Sequence, residues 1–144
     1  DLQTRLDKMH VRHSRRRLVR ELFPDATEDQ VQAEGEKFPD VLHPLVRTHP
    51  LNGRPALFLG GEWGSDIDGL PAEESRALYA DLLNHLIGGA FSYVHQWRVG
   101  DVLFSDNRCG MHRASEWDVD SHRRLLHRII LWDKRMPEGS RIAA

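Results

Sequence analysis

The stretch that most constrains the fold is Arg124-Leu-Leu-His-Arg-Ile-Ile-Leu-Trp132. In an extended chain Arg124, Leu126, Arg128, Ile130 and Trp132 share one face, and Arg123, Leu125, His127, Ile129 and Leu131 share the other. Both faces are largely apolar from Leu125 onward, which predicts a central strand that other strands must flank. Residues 93–99, 102–105 and 110–114 also have strand character, with a turn at Gly100-Asp101. Further upstream, residues 45–48 and 56–59 flank Asn52-Gly53, a hairpin signal.

The rest of the chain adds helices. Residues 1–40 read as helical in three pieces punctuated by Pro24 and Pro39, with Thr27 followed by Glu28 and Asp29 as a helix start. Pro71 with Glu73 and Glu74 begins the strongest helix, whose Leu78, Leu82, Leu83 and Leu86 recur at helical spacing before Gly88-Gly89 ends it. Short strands after a helical stretch predict an antiparallel sandwich or barrel decorated with helices, an α+β to mainly β class. About six strands are visible, fewer than the eight of a jelly roll. The chain also opens on Asp1 inside a helical pattern, so the fold reads as a piece of something longer.

Composition excludes several classes. The 144 residues are 40% hydrophobic and 29% charged, which is ordinary globular composition. No apolar run approaches the roughly 20 residues of a membrane span, and no signal peptide is expected. A formal charge of -2 gives no basic field for nucleic acid. The one cysteine, Cys109, excludes an internal disulfide and a Cys-rich zinc site, and points to a reducing, cytoplasmic setting. Residues 12–20 form one basic cluster, which reads as a solvated helix face with Leu18 and Leu22 packed inward rather than a phosphate-binding surface. The Gly60-Gly61 loop lacks the Lys-Ser/Thr of a phosphate-binding loop.

Arg124 and Arg128 would lie about 13 Å apart on one strand face, where an unpaired charge is expensive. An internal carboxylate or an anionic ligand would satisfy each, and the strand alone leaves both open. If residues 110–114 and the last strand form a hairpin turning near Asp118, His112 falls opposite Arg124. That would put an imidazole able to bind a metal beside a guanidinium able to hold a carboxylate. A structural, hydrogen-bonded role for the histidine is the competing reading.

Taken in order, several motifs resemble the taurine/2,4-dichlorophenoxyacetate dioxygenase family of non-haem Fe(II)- and 2-oxoglutarate-dependent oxygenases. They are His43-Pro-Leu-Val-Arg-Thr-His-Pro50, Gly53-Arg-Pro-Ala-Leu-Phe58, Gly69-Leu-Pro71, Trp97-Arg-Val-Gly-Asp101, Asp106-Asn-Arg108, His112-Arg-Ala114 and Arg124-Leu-Leu-His-Arg128. The likeness runs from His43 to Trp132, and more loosely back to a helix near residues 9–14. It implies a double-stranded β-helix, or jelly roll, with flanking helices. Residues 1–40 would then be a helical insert, and 41–144 the core strands with one long helix.

The resemblance implies roles residue by residue. His112 matches the distal iron ligand, Arg124 the arginine that binds the distal carboxylate of 2-oxoglutarate, and Arg128 the arginine near the substrate anion and cofactor. Trp63 lies in the loop that places an aromatic residue over the substrate. Ser105 stands where relatives often carry Trp, Ser14 aligns only loosely with a substrate-side position, and His95, His122 and His127 match no ligand. A 2-His-1-carboxylate triad leaves sites for the keto acid and O₂. Its proximal half is His-x-Asp, and no histidine here is followed two residues later by Asp or Glu.

The implied function is therefore the C-terminal part of an Fe(II)/2-oxoglutarate-dependent dioxygenase oxidising a small anionic molecule, the N-terminal strands and His-x-Asp lying upstream. The alternative is a non-catalytic, degenerate paralogue that keeps the arginines as a binding module. The expected partner is a small-molecule substrate, with no nucleic acid and no membrane; homo-oligomerisation is left open.

Overall fold

The computed structural model describes residues 1–61 and 64–131, in two compact units, Asp1–His112 and Arg113–Ala144. In the first unit, α1 (Leu2–Leu6) starts at Asp1, whose carboxylate accepts the Thr4 N–H at 2.8 Å. α2 (Arg15–Leu22) starts at Ser14, and α3 (Glu28–Lys37) starts at Thr27. At Thr27 a capping box is closed by Gln30, so two of the helix's free N-terminal donors are satisfied reciprocally. This start is where the sequence placed it.

The expectation of helix across residues 1–40 fails between α1 and α2, where β1 (His10–His13) is a strand. It is the middle strand of an antiparallel sheet, with β2 (Val41–Pro44) on one side and β5 (Gly64–Ile67) on the other. Val11, facing His43 and Ile67, is fully buried. Two neighbouring ladders and one buried β-branched side chain outweigh a helical pattern that His and Val support only weakly. The basic cluster is also corrected in part. Leu18 is buried, but Leu22 is half exposed, and the arginines are largely paired: Arg15 with Glu34 at 2.9 Å, Arg20 with Glu28 at 2.8 Å, Arg16 with Asp40 at 3.6 Å.

The hairpin is present: β3 (Val46–Thr48) pairs antiparallel with β4 (Pro55–Leu57), Val46 opposite Leu57 and Thr48 opposite Pro55. Its connection is longer than a two-residue turn. His49 N–H donates to the Arg54 carbonyl, and Gly53 N–H donates to the His49 carbonyl, each at 2.9 Å. Gly53 sits at φ +70°, where a side chain would be strained.

α4 (Ala72–Ile87) follows Pro71 as expected and ends at Gly88. Tyr79 and Leu82 enter the core with Leu6, Val11, Leu45, Leu59 and Ile67, and Leu78, Leu83 and Leu86 pack against it. Ser75 is also buried, and its hydroxyl accepts the Ile67 N–H at 2.7 Å, which ties α4 to the end of β5. The Tyr79 hydroxyl reaches the Leu59 carbonyl at 3.0 Å and the Gly61 carbonyl. No described helix is long and apolar enough to cross a membrane.

From residue 88 to 131 no described residue is helix or strand. The strands expected at 93–99, 102–105, 110–114 and 124–132 are therefore absent as far as residue 131; Trp132 lies outside the described residues. The physical reason is that a strand closes its hydrogen bonds only on a neighbour, and none of the described strands pairs with these segments. Their apolar side chains remain exposed, among them Val99, Phe104, Ile129 and Leu131. The described residues thus form an α+β arrangement without a closed barrel, and the jelly roll is not seen in it.

Candidate active site

What survives in the segment after α4 is its turns. Asp101 N–H donates to the Arg98 carbonyl at 3.1 Å, while the Asp101 carboxylate accepts the Arg98 N–H at 2.9 Å and lies 3.1 Å from His95 Nε2. The His95 ring also stands edge-on to Trp97, 4.6 Å between centroids. These contacts place His95 in a local packing cluster.

The next turn is the one that leads to His112. Asp106 closes it with both of its acceptor groups. The carboxylate accepts the Arg108 N–H at 2.9 Å and Arg108 Nε at 2.8 Å, and the carbonyl accepts the N–H groups of Gly110 at 3.0 Å and Cys109 at 3.3 Å. Hydrogen bonds from the Arg108 side chain, then from its backbone, hold the Asp106 carboxyl well below the usual carboxylate range. His112, two residues beyond, is exposed at the end of the first unit.

Arg124 and Arg128 belong to the second unit, and both are exposed. The covered strand face expected for them is not formed, so the argument that burial forces them to find anions does not hold in this structure. The Arg124 guanidinium carbon lies 5.2 Å from the centroid of the Trp117 ring, a cation–π contact. The turn expected at Asp118 is present: Asp120 and Ser121 N–H groups donate to its carboxylate at 3.1 Å, and His122 N–H donates to its carbonyl at 3.0 Å. The hairpin register that would oppose His112 to Arg124 is not formed, since neither segment is a strand. Trp63 lies outside the described residues.

Two clusters in the first unit had no role in the sequence reading. His13, His43 and Phe58 pack ring against ring at 4.9 to 5.4 Å, and the Arg47 guanidinium lies 4.4 Å from the Phe58 centroid. Burial, above all, lowers the pKa of both histidines, so both rings are neutral at neutral pH. Gly60 faces His13 so closely that a Cβ there would stand 2.3 Å from the ring. This cluster was hidden because His13 was read as helical. The second cluster joins His49, in the β3–β4 turn, to Asp106 at 3.1 Å. Both residues lie in the quoted motifs, but nothing in the sequence links the two.

A 2-His-1-carboxylate iron centre needs three protein donors. His112 fits as one, an exposed imidazole with no burial to oppose metal binding. The other two are not supplied by any His-x-Asp or His-x-Glu in this sequence. His49, Asp106 and Cys109 place one ligand atom each within 4.8 Å of one another. Asp106, however, is already held by Arg108, and His49 Nδ1 accepts the Leu51 N–H at 3.3 Å, which leaves the ring proton on Nε2. That trio is a hydrogen-bonded hub rather than a ready cation cage.

Comparison with known proteins adds the following. The family described as Taurine catabolism dioxygenase TauD, TfdA family matches residues 1–130. The chain is 38% identical over 133 residues to the alpha-ketoglutarate-dependent 2,4-dichlorophenoxyacetate dioxygenase of Cupriavidus pinatubonensis, covering 92% of this chain and 45% of that protein. It is 40% identical over 86 residues to the (S)-phenoxypropionate/alpha-ketoglutarate-dioxygenase of Delftia acidovorans, covering 60% of this chain and 29% of that one. Among solved structures it resembles AAD-2 in complex with Mn(II) and N-oxalylglycine, with a TM-score of 0.58 and 31% identity over 67% of this chain and 37% of that chain. The chain thus spans less than half the length of these relatives.

Proposed function

The chain belongs to the Taurine catabolism dioxygenase TauD, TfdA family, and from that premise we propose that it is the C-terminal part of a non-haem dioxygenase acting on a small carboxylate-bearing substrate. Fe(II) and 2-oxoglutarate are the cofactors of this family. The single observation that carries the reading is the order His112, Arg124, Arg128, following Asp106-Asn-Arg108, within the matched residues.

In this reading His112 contributes a ring nitrogen to the metal. Arg124 holds the distal carboxylate of 2-oxoglutarate in its guanidinium fork, Arg128 meets the substrate anion, and Trp63 is the candidate aromatic contact to the substrate. Bound together, iron and 2-oxoglutarate would use O₂ as the oxidant to break an unactivated C–H bond, one oxygen atom going to the hydroxylated substrate and the other to succinate, with release of CO₂. The protein's task is to hold the three partners in line and to keep the cofactor carboxylate out of water. Residues 1–40 supply flanking helices and the sheet strand β1, and in this reading 41–144 supply strands and one long helix of a jelly roll. The remaining strands and the His-x-Asp pair come from sequence outside these residues.

Relatives named for phenoxyacetate and phenoxypropionate substrates support an aryloxy carboxylate as the substrate class. The pairing of Arg15, Arg16 and Arg20 with carboxylates fits a solvated helix face. One exposed cysteine fits a reducing cytoplasm. The test is turnover of the full-length protein with 2-oxoglutarate and a panel of aryloxyalkanoic acids, followed by mass spectrometry. Succinate formed together with a product heavier by one oxygen supports the reading. If no substrate on the panel yields succinate and the protein still binds 2-oxoglutarate, the non-catalytic binding module is the better account.

A further inference from the structure

We infer that His49 is a positioning residue, fixing through Asp106 the turn from which His112 is presented. The inference rests on the metal-binding role proposed above for His112, and it adds a residue to which nothing else assigns a function. The His49 side chain is only 9% exposed, and both of its ring nitrogens are engaged. Its backbone N–H and carbonyl are both bonded within the β3–β4 turn, to Arg54 and Gly53. Its Nδ1 accepts the Leu51 N–H at 3.3 Å, so the proton sits on Nε2 and donates to Asp106 Oδ2 at 3.1 Å. One tautomer satisfies both contacts.

Asp106 is the other half of the device. Five N–H groups close on it, the backbone N–H, Nε and Nη2 of Arg108 and the backbone N–H groups of Cys109 and Gly110, so residues 106–110 are tied into one body. The His49 bond joins that body to a paired hairpin 57 residues away in sequence. Gly110 is two residues from His112, too short a span to absorb a displacement of the turn. Removing the His49 N–H leaves Asp106 paired with Arg108, so no naked charge is created and the fold has little reason to fail. The Cys109 thiol contacts the Asp106 carbonyl at 3.7 Å and rides on the same body.

The experiment compares wild type, His49→Leu and His49→Gln in the full-length protein. Leu removes the donor, whereas the Gln amide carries an N–H that can reach Asp106. Groups that orient a metal ligand typically change metal affinity by about 10- to 100-fold. Anaerobic titration with Fe(II) in the presence of 2-oxoglutarate should therefore show such a loss in His49→Leu and most of the affinity regained in His49→Gln. Equal affinity in wild type and His49→Leu, or no rescue by Gln, overturns the inference.

A second reading needs no metal. Hydrogen exchange at the Cys109 and Gly110 amides should quicken by at least about tenfold in His49→Leu, since local opening governs it. Unchanged exchange overturns the inference. A third uses the unaltered protein: ¹⁵N shifts of His49 should show Nε2 protonated, and the Nδ1-protonated form contradicts the tether. A wild type that binds no Fe(II) with 2-oxoglutarate defeats the proposed function, yet the exchange and tautomer results still decide the tether.

Discussion

Residues 88–131 carry most of the strand-forming sequence, yet every described strand lies within residues 1–87. His10-Val-Arg-His13 is an indifferent strand former, yet it is the centre of a three-stranded sheet because residues 41–44 and 64–67 lie on either side. Residues 124–131 are a far stronger strand former and form no strand, with Leu125, Leu126, Ile129 and Leu131 exposed. The difference teaches that strand propensity expresses itself only where a ladder partner exists. The catalytic candidates lie in the unpaired region, and the packing that makes a stable body lies in the other.

The largest contrast concerns ligand binding. Truncating one partner of a desolvated charge pair costs about 2 to 5 kcal/mol, or roughly 30-fold to several thousand-fold in affinity. Arg124→Ala in the full-length protein should raise the 2-oxoglutarate requirement by that factor while Fe(II) binding at His112 stays nearly intact. A fall in melting temperature with an unchanged 2-oxoglutarate requirement would instead assign Arg124 to internal packing.

The next contrast is in stability. Leu45 is fully buried, and Leu45→Ala should destabilise the chain by about 2 to 5 kcal/mol in urea unfolding. Leu125 is 67% exposed, and Leu125→Ala in this 144-residue chain should change stability by less than about 0.5 kcal/mol. In the full-length protein the second value should rise toward the first if residues 124–132 gain strand neighbours there. Equal, small effects in both settings would mean that these residues never enter a core.

A smaller effect is expected at the join of α4 to the sheet. Ser75→Ala leaves the Ile67 N–H without its acceptor, which should cost about 1 to 3 kcal/mol by the same unfolding measurement. An effect of similar size is a pH dependence at Tyr79. Burial raises its pKa from 10.0 to about 12, so folding favours the protonated phenol. That contribution is complete below pH 10 and is lost as the pH rises through 12. Stability should fall across that window, and Tyr79→Phe should remove the part of the decline that belongs to this group.

The sequence made much of this legible where the signal was local. Thr27 and Gln30 fix the start of α3 by their own hydrogen bonds, Pro71 marks the start of α4, and Asn52-Gly53 marks a turn, so each could be placed from its neighbours alone. β1 and β5 were not legible, because what makes them strands is each other, across more than 50 residues. The motifs around Asp106, His112 and Arg124 pointed to the family from order and spacing. The bond from His49 to Asp106 was missed because no local rule links a hairpin turn to a loop 57 residues on.

The measurement that bears most directly on the central claim is anaerobic addition of Fe(II) and 2-oxoglutarate to the full-length protein and to its His112→Ala variant, followed by visible absorption. The account predicts the weak charge-transfer band of the chelate in the wild type and its loss in the variant. A band of the same intensity in both would contradict it, because His112 would then be no ligand.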